Sequence, residues 1–525
     1  MKGTSLNVSN SVNRRQVVLG IDIGTTNIKC CAYDQFCNVI GEAHEKMTTI
    51  NPGDGRHEIE PDILWNIFQG VVKKCLSNSQ LNAADITCLG ISTLRASFLT
   101  WNRKTEETFH NFITWKDKRC EKLCEQWNSS FITKLLRFGA GTLYFFTRIK
   151  LFQIMSSIKF TSAMVLTRLY WMLKHDEKIR HEVFKEGTLF GTIDTWLIWK
   201  LTGGKVHATD PSNACVTGFF DIFKMEWSKL VLRGFNIPEN ILPEVKNTGD
   251  CYGYTLPEVF GVAIPICAVI GDQQASIFGA GCFKNKEMSC TMGTGTFLHV
   301  NTGCEPASSC NGIYPLIGWT IASNTSYILE CGMHDVGSVF HVAQNLGFLD
   351  DPNTSSDIAQ SVSDSGGIYF LPSACMLETA GKQNLNVSTM VGLKSQTSKE
   401  HLVRAVLESL AFQVQMLLDG IEKNYGKNTG IIRVCGGIAK NDFILQLVSN
   451  LSRKIVKRSK HSECSSLGAA LVAGLYMGVW KSQDEIIEMQ NDCDMFTPNI
   501  ISENVHQRQY LNWKKAVSCP IMNVN

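Results

Sequence analysis

Residues 17–34 read VVLGIDIGTTNIKCCAYD, and residues 287–300 read EMSCTMGTGTFLHV. In each stretch an apolar, β-branched run meets a tip of glycine and threonine and then resumes. That punctuation predicts a buried strand, a tight turn and a returning strand. Gly24-Thr25-Thr26-Asn27 makes the first tip and Gly293-Thr294-Gly295-Thr296 the second. The same device opening each half of the chain predicts a duplicated fold. Working outward, ITCLGIST (86–93) reads as a further strand, and FITWKDKR (112–119) as a strand end leading into a polar helix start. Helical periodicity dominates 168–186, and GTIDTWLIWKLTG (191–203) carries apolar residues at helical spacing closed by paired glycines. In the second half, GIIRVCGGIAKNDFILQLVSNL (430–451) reads as strand, Gly-Gly turn and amphipathic helix, and SSLGAALVAGLYMGVW (465–480) as a small-residue helix suited to close packing. The expected architecture is α/β, with domains over 17–281 and 282–492, a boundary near 279–287, and tails at 1–16 and 493–525.

Composition agrees with a globular protein of more than one domain. A chain of 525 residues exceeds one ordinary core, and 19% charged against 44% hydrophobic residues suits a packed interior rather than disorder. The formal charge of +2 carries no nucleic-acid footprint, and the basic run Arg453–Lys460 reads as a solvated segment. The 20 cysteines lack paired zinc spacing: Cys120 and Cys124 are one residue too far apart for CxxC and have no second pair. The N-terminus is polar through Gln16, so a cytoplasmic setting with free thiols is expected, and the sequons at Asn128 and Asn386 carry no meaning there. Residues 142–167, TLYFFTRIKLFQIMSSIKFTSAMVLT, are apolar and aromatic, but Arg148, Lys150 and Lys159 interrupt any membrane span. The stretch reads as a lid or packed helical insertion, with peripheral membrane contact the alternative.

The chemistry-bearing residues cluster at the tips and strand ends. Asp22, Gly24, Thr25 and Thr26 place a carboxylate, a glycine and two hydroxyls in one turn, with Lys29 nearby. Glycine lets backbone N–H groups approach a phosphate, and Asp22 suits Mg²⁺, which prefers carboxylate plus water; an Asx-type turn is the plain alternative. The loop around Thr294 repeats this equipment, and Gly436-Gly437 after a strand is a third candidate for nucleotide approach, or simply a tight connection. Asp272 follows the strand ICAVIG and Arg95 follows CLGIST. Strand ends are where α/β proteins hold ligands, so Asp272 is a candidate general base as well as a helix cap, and Arg95 a hydroxyl donor or a salt-bridge partner.

These segments, in this order, resemble the FGGY carbohydrate kinases, the family of glycerol, xylulose and gluconate kinases. The resemblance runs from about residue 17 to 481 and rests on LGIDIGTTNIK, LGISTLRASFLTW, WKDKR, GTIDTWLIWKLTGG, ATDPSNACVTGFFD, GDQQASIFG, TMGTGTFL, MVGLKSQTSKEHLVRAVLESLAF, CGGIAKNDF and SLGAALVAGL. WKDKR, TDPSNACVTGFFD and TMGTGTF are most similar to glycerol kinases. The resemblance implies two ribonuclease-H-like, actin-type domains closing over a cleft, and ATP- and Mg²⁺-dependent phosphorylation of glycerol to sn-glycerol 3-phosphate. It implies Asp272 as base; Arg95, Asp272 and Gln273 as substrate contacts; Asp22 for the metal; and Thr25, Thr26, Lys29, Thr294, Gly337, His341, Gly437 and Asn441 on the ATP side. Several positions depart from the pattern. Ala96 stands where glycerol kinases carry a glutamate, Cys435 where aspartate precedes the paired glycines, and ACMLETAGKQNLN (374–386) replaces the usual loop. A kinase for another small polyol or sugar, and a catalytically dead nucleotide-binding protein, are the rival expectations. A homodimer is compatible with either.

Overall fold

A computed structural model describes residues 16–293, 295–307, 312–333, 336–372, 388–426, 429–490, 492–499 and 503–518. Two of the expected features, Thr294 and the 374–386 loop, lie outside the described residues.

Val17–Ile23 and Asn27–Tyr33 are the expected hairpin, paired antiparallel with Asp22 opposite Lys29. They join a five-stranded sheet in the order Ile266–Gly271, Ile86–Thr93, Val17–Ile23, Asn27–Tyr33, Val39–Lys46. The first three of these run parallel and are buried on both faces, which is why they read as continuous apolar runs rather than alternating ones.

The second tip also joins two antiparallel strands, Met288–Met292 and Thr296–Gly303. They belong to a seven-stranded sheet ordered Tyr314–Ile321, Asn324–Met333, Thr296–Gly303, Met288–Met292, Ile432–Cys435, Val456–Ser459, Cys493–Phe496. From Asn324–Met333 to Val456–Ser459 the order and strand directions repeat those of the first sheet, so the duplication is one of topology.

One sequence expectation needs correction. Residues from 493 are not simply a tail: Cys493–Phe496 pairs antiparallel with Val456–Ser459, and helix Glu503–Ser518 seats Tyr510 and Trp513 in the core of the second sheet. The helix carried a local signal, because the buried Tyr510, Trp513 and Val517 recur at helical spacing.

Two helices join the halves. Asp272–Gly279 leads out of the first sheet, and Cys464–Met477 lies against it and across Ile86–Thr93 and Val17–Ile23. The approach is close enough that a Cβ on Gly90 would stand 2.1 Å from the Ala469 carbonyl oxygen, so only glycine fits there. The small-residue character of SSLGAALVAGL follows from this crowding.

The stretch expected as a lid or packed insertion starts earlier than its apolar core suggested. It forms a helical hairpin, Phe131–Thr147 and Lys150–Ser157, rooted on an aromatic cluster of Trp127, Phe160, Tyr170 and Phe235. Asn128 is spent at this root, donating to the Phe160 carbonyl and accepting from Arg137. The outer face of the first helix is not packed. No described helix is long and apolar enough to cross a membrane.

Candidate active site

Register brings the candidate residues of the first half together. Ile23, Thr93 and Gly271 end three parallel strands at one level, with Asp22 beside Ser92. Asp22, Arg95 and Asp272 therefore share the C-terminal edge of one sheet although 250 residues separate the first from the last. The same holds in the second half. Met292 pairs with Thr296 and Thr296 with Met333, while Cys435 pairs with Thr291, so Gly293 and the Gly436-Gly437 turn leave one edge of the second sheet.

Arg95 is the centre of the first edge. Its Nε lies 3.2 Å from Asp272 Oδ1, and its Nη2 lies 2.8 Å from Glu330 Oε2. Glu330 sits on Asn324–Met333 of the other sheet, opposite His299, whose Nε2 is 3.0 Å from the same carboxylate. Sequence reasoning missed Glu330. The available signal was a lone acid inside the apolar strand SYILECGM, where an unpaired charge would be costly. Burial works against Glu330's charge, yet Arg95 and His299 outweigh it and hold the carboxyl at about 2. Asp272 moves the other way: burial raises it above the usual carboxylate range, Arg95 and the Gln273 N–H at 2.8 Å pull it back, and Glu330 adds to the rise. Among the described residues, Nη1 of Arg95 and Oε1 of Gln273 are buried without a protein partner. A buried donor and a buried acceptor without partners are each costly, and ligand hydroxyls are one way to satisfy them.

Two supports fix this edge from behind. Arg168 is buried and donates to the carbonyls of Ile113, Thr114, Ala163 and, at 2.6 Å, Ala96, which holds Ala96 at φ +57°. Asp210 caps Ser212 and Asn213; Ser212 Oγ in turn accepts from the Gly271 N–H, and Asn213 Oδ1 from the Thr93 hydroxyl. The motif ATDPSNA thus clamps the ends of the two strands that carry Arg95 and Asp272.

The first tip is held by its own hydrogen bonds. The Gly24 N–H donates to the Asn27 carbonyl, and Trp115 Nε1 donates to Thr25 Oγ1 at 3.1 Å. Asp22 accepts from Ser92 Oγ at 2.8 Å on one oxygen. Burial and then the charge of Asp272 push Asp22 up to about 7, so two acids face one site and each penalises the other's ionisation.

Family models for the FGGY family of carbohydrate kinases match this sequence, the N-terminal domain over residues 17–279 and the C-terminal domain over 288–477. The chain belongs to the FGGY family of carbohydrate kinases. Glycerol kinase 5 of Bos taurus is 40% identical over 504 residues, covering 96% of this chain and 95% of that protein. The glycerol kinase of Petrotoga mobilis is 33% identical over 501 residues, covering 95% and 97%. Among solved structures, glycerol kinase of Plasmodium falciparum with ADP matches with a TM-score of 0.85 at 25% identity, over 97% of this chain and 99% of that one. Gluconate kinase of Lactobacillus acidophilus, at 20% identity and a TM-score of 0.80, shares the fold.

In this FGGY kinase the nucleotide-side candidates are more dispersed. Lys29 faces Glu463, 2.5 Å away at the start of Cys464–Met477, and Thr26 is exposed. Gly337 opens helix Ser338–Asn345, with His341 exposed on it. Gly437 opens a short 3-10 turn after Gly436, which has φ +99° and leaves no room for a Cβ, the Met292 carbonyl oxygen being 2.4 Å from where it would stand. Asn441 is spent on structure: Oδ1 caps the Ile444 N–H and Nδ2 donates to Ser355 Oγ. Cys435, the departure before the paired glycines, is surrounded by donors. Cys464, and the hydroxyls of Ser276 at 3.3 Å and Thr291 at 3.6 Å, draw its buried thiol down to about 7. Ala96 lies in an apolar cluster with Phe98, Ile113 and Val165, so the missing glutamate leaves a methyl group among hydrocarbon neighbours.

Proposed function

We propose that this FGGY kinase transfers the γ-phosphoryl group of ATP to a primary hydroxyl of glycerol, giving sn-glycerol 3-phosphate and ADP. The observation that carries the reading is the Arg95–Asp272 pair with Gln273 at the end of the first sheet. The glycerol kinase names of relatives covering nearly the whole chain support it.

In this scheme Arg95 Nη1 and Gln273 Oε1 bind acceptor hydroxyls. Asp272, raised by burial, takes the proton of the attacking hydroxyl. Arg95 is shared with Glu330, so it neutralises the site without fully claiming Asp272. The Thr25–Thr26 tip, Lys29 and the loops at Thr294, Gly337 and Gly437 hold the polyphosphate. Phosphoryl transfer asks chiefly for positioning and charge neutralisation. Asp22 fits Mg²⁺ as a carboxylate raised by burial and by the charge of Asp272, whose ionised form a divalent cation would stabilise. The ion would supply charge neutralisation on the phosphates. We place the enzyme in the cytosol, where adjacent thiols such as Cys435 and Cys464 stay reduced.

The test is ADP release across a panel of polyols and sugars. Glycerol as the best acceptor supports the reading. A preference for another acceptor would follow the loss of the carboxylate at Ala96, and ATP binding without acceptor-dependent ADP release would refute catalysis.

A further inference from the structure

The kinase reading leaves the helical hairpin unused. Its first helix, Phe131–Thr147, is about 25 Å long at 1.5 Å per residue. Placed at about 100° per residue, one half of its circumference carries ten residues, eight of them large and apolar and none charged. These side chains face solvent: Phe131 is 78% exposed, Phe138 74% and Phe146 77%. Monomeric proteins seldom leave so continuous an apolar face open, and such faces mark interaction sites.

The charges around it say what would cover it. Between Glu125 and Asp176 the chain has no acidic residue. Lys134 and Arg148 are exposed on the hairpin, and Lys150 and Lys159 follow. Lys134 flanks the apolar face, and Arg148, the cap of the first helix, lies over the rings of Tyr144 and Phe145. Lys150 reaches Glu305 at 3.3 Å. A second copy docked face to face would bring like charges together. The complement is a surface that is apolar within and anionic at its rim.

We infer that this hairpin docks the enzyme on an anionic lipid bilayer, the first helix lying in the plane of the interface with its phenylalanines among the acyl chains and its cations at the headgroups. A half-cylinder of Phe, Leu and Ile flanked by Lys and Arg is the pattern of an interfacial helix rather than a spanning one. The root on Trp127, Phe160 and Phe235 is stiff and well packed, so the helix is presented without unfolding. None of these side chains belongs to the Arg95–Asp272 site.

The experiment uses the full chain with phosphatidylcholine vesicles, with and without 30% phosphatidylserine (about a third anionic, enough to set a surface potential), in a sedimentation assay. Binding is expected only with phosphatidylserine and should weaken as salt rises. Phe138→Glu/Phe146→Glu should abolish it while leaving soluble kinase activity unchanged, and Lys134→Gln should lower the partition coefficient about fivefold. Both phenylalanines are exposed, so the double variant should fold normally. If that variant sediments like the parent, or the folded parent ignores phosphatidylserine, the inference fails. Light scattering separates the other occupant: a parent dimer that the double variant dissociates, without vesicle binding, would assign the face to a second copy of the chain.

Discussion

Replacing Glu330 by glutamine tests the coupling between the two sheets most directly. The substitution keeps the side chain's shape and one acceptor, but removes the charge that Arg95 meets at 2.8 Å and His299 at 3.0 Å. Both ends are well shielded, with side-chain exposures of 11% for Arg95 and 13% for Glu330, so screening by water is weak. A hydrogen bond involving a charged group contributes about 1.5–3 kcal/mol. Breaking a buried pair from one side costs about 3–5 kcal/mol, and with glutamine still accepting, the lower end applies. At about 2–4 °C per kcal/mol, the melting temperature should fall roughly 6–12 °C.

Catalysis should change in a way that simple destabilisation would not produce. Arg95 would turn wholly to Asp272, and the charge of Glu330, which helps raise Asp272, would be gone. Both effects lower the Asp272 pKa. A carboxylate base works above its pKa, so the ascending limb of kcat/KM against pH should move to lower pH. The plateau should fall about 10- to 150-fold, the range equivalent to 1.5–3 kcal/mol. The assay is steady-state ADP release from pH 5 to 9 at 25 °C on protein shown to be folded by circular dichroism. An unmoved limb with a plateau within twofold of the parent would refute the role assigned to Glu330.

Other outcomes follow from the same geometry. Asp272→Asn should retain ADP binding by calorimetry and lose about 10²-fold or more in turnover, the scale of a general base; near-normal turnover would remove Asp272 from that role. Asp22, raised to about 7, contributes stability present below its unfolded pKa near 4 and lost as pH rises through 7, because its ionised form is then buried near Asp272. Mg²⁺ favours that ionised form, so its stabilising thermal shift should be larger at pH 8 than at pH 6 and absent in Asp22→Asn; equal shifts at both values would contradict the assignment. Gly436→Ala, at φ +99° with a carbonyl oxygen 2.4 Å from the new Cβ, should displace the turn and weaken ADP binding about tenfold or more, roughly 1.4 kcal/mol, and unchanged calorimetric affinity would place the nucleotide elsewhere.

What the sequence determined by itself is what short-range rules can carry. The two glycine–threonine hairpins, the strand before Asp272 and the small-residue helix near the end all announce themselves within a dozen residues, because turn geometry, burial on two faces and close packing each restrict the residues allowed locally. Asp22 and Asp272 could be singled out because each ends such a strand. Glu330 could not be assigned a partner, since its meeting with Arg95 spans 235 positions and depends on how two sheets stand about the helices Asp272–Gly279 and Cys464–Met477. Nor could the strand Cys493–Phe496 or the helix carrying Trp513, whose places are set by an open sheet edge and a core assembled from remote segments. The sequence marked 142–167 as apolar with basic interruptions; only the tertiary structure decided which face of that hairpin packs and which meets solvent, because a helix's apolar stripe says nothing of its partner until the rest of the chain has taken its place.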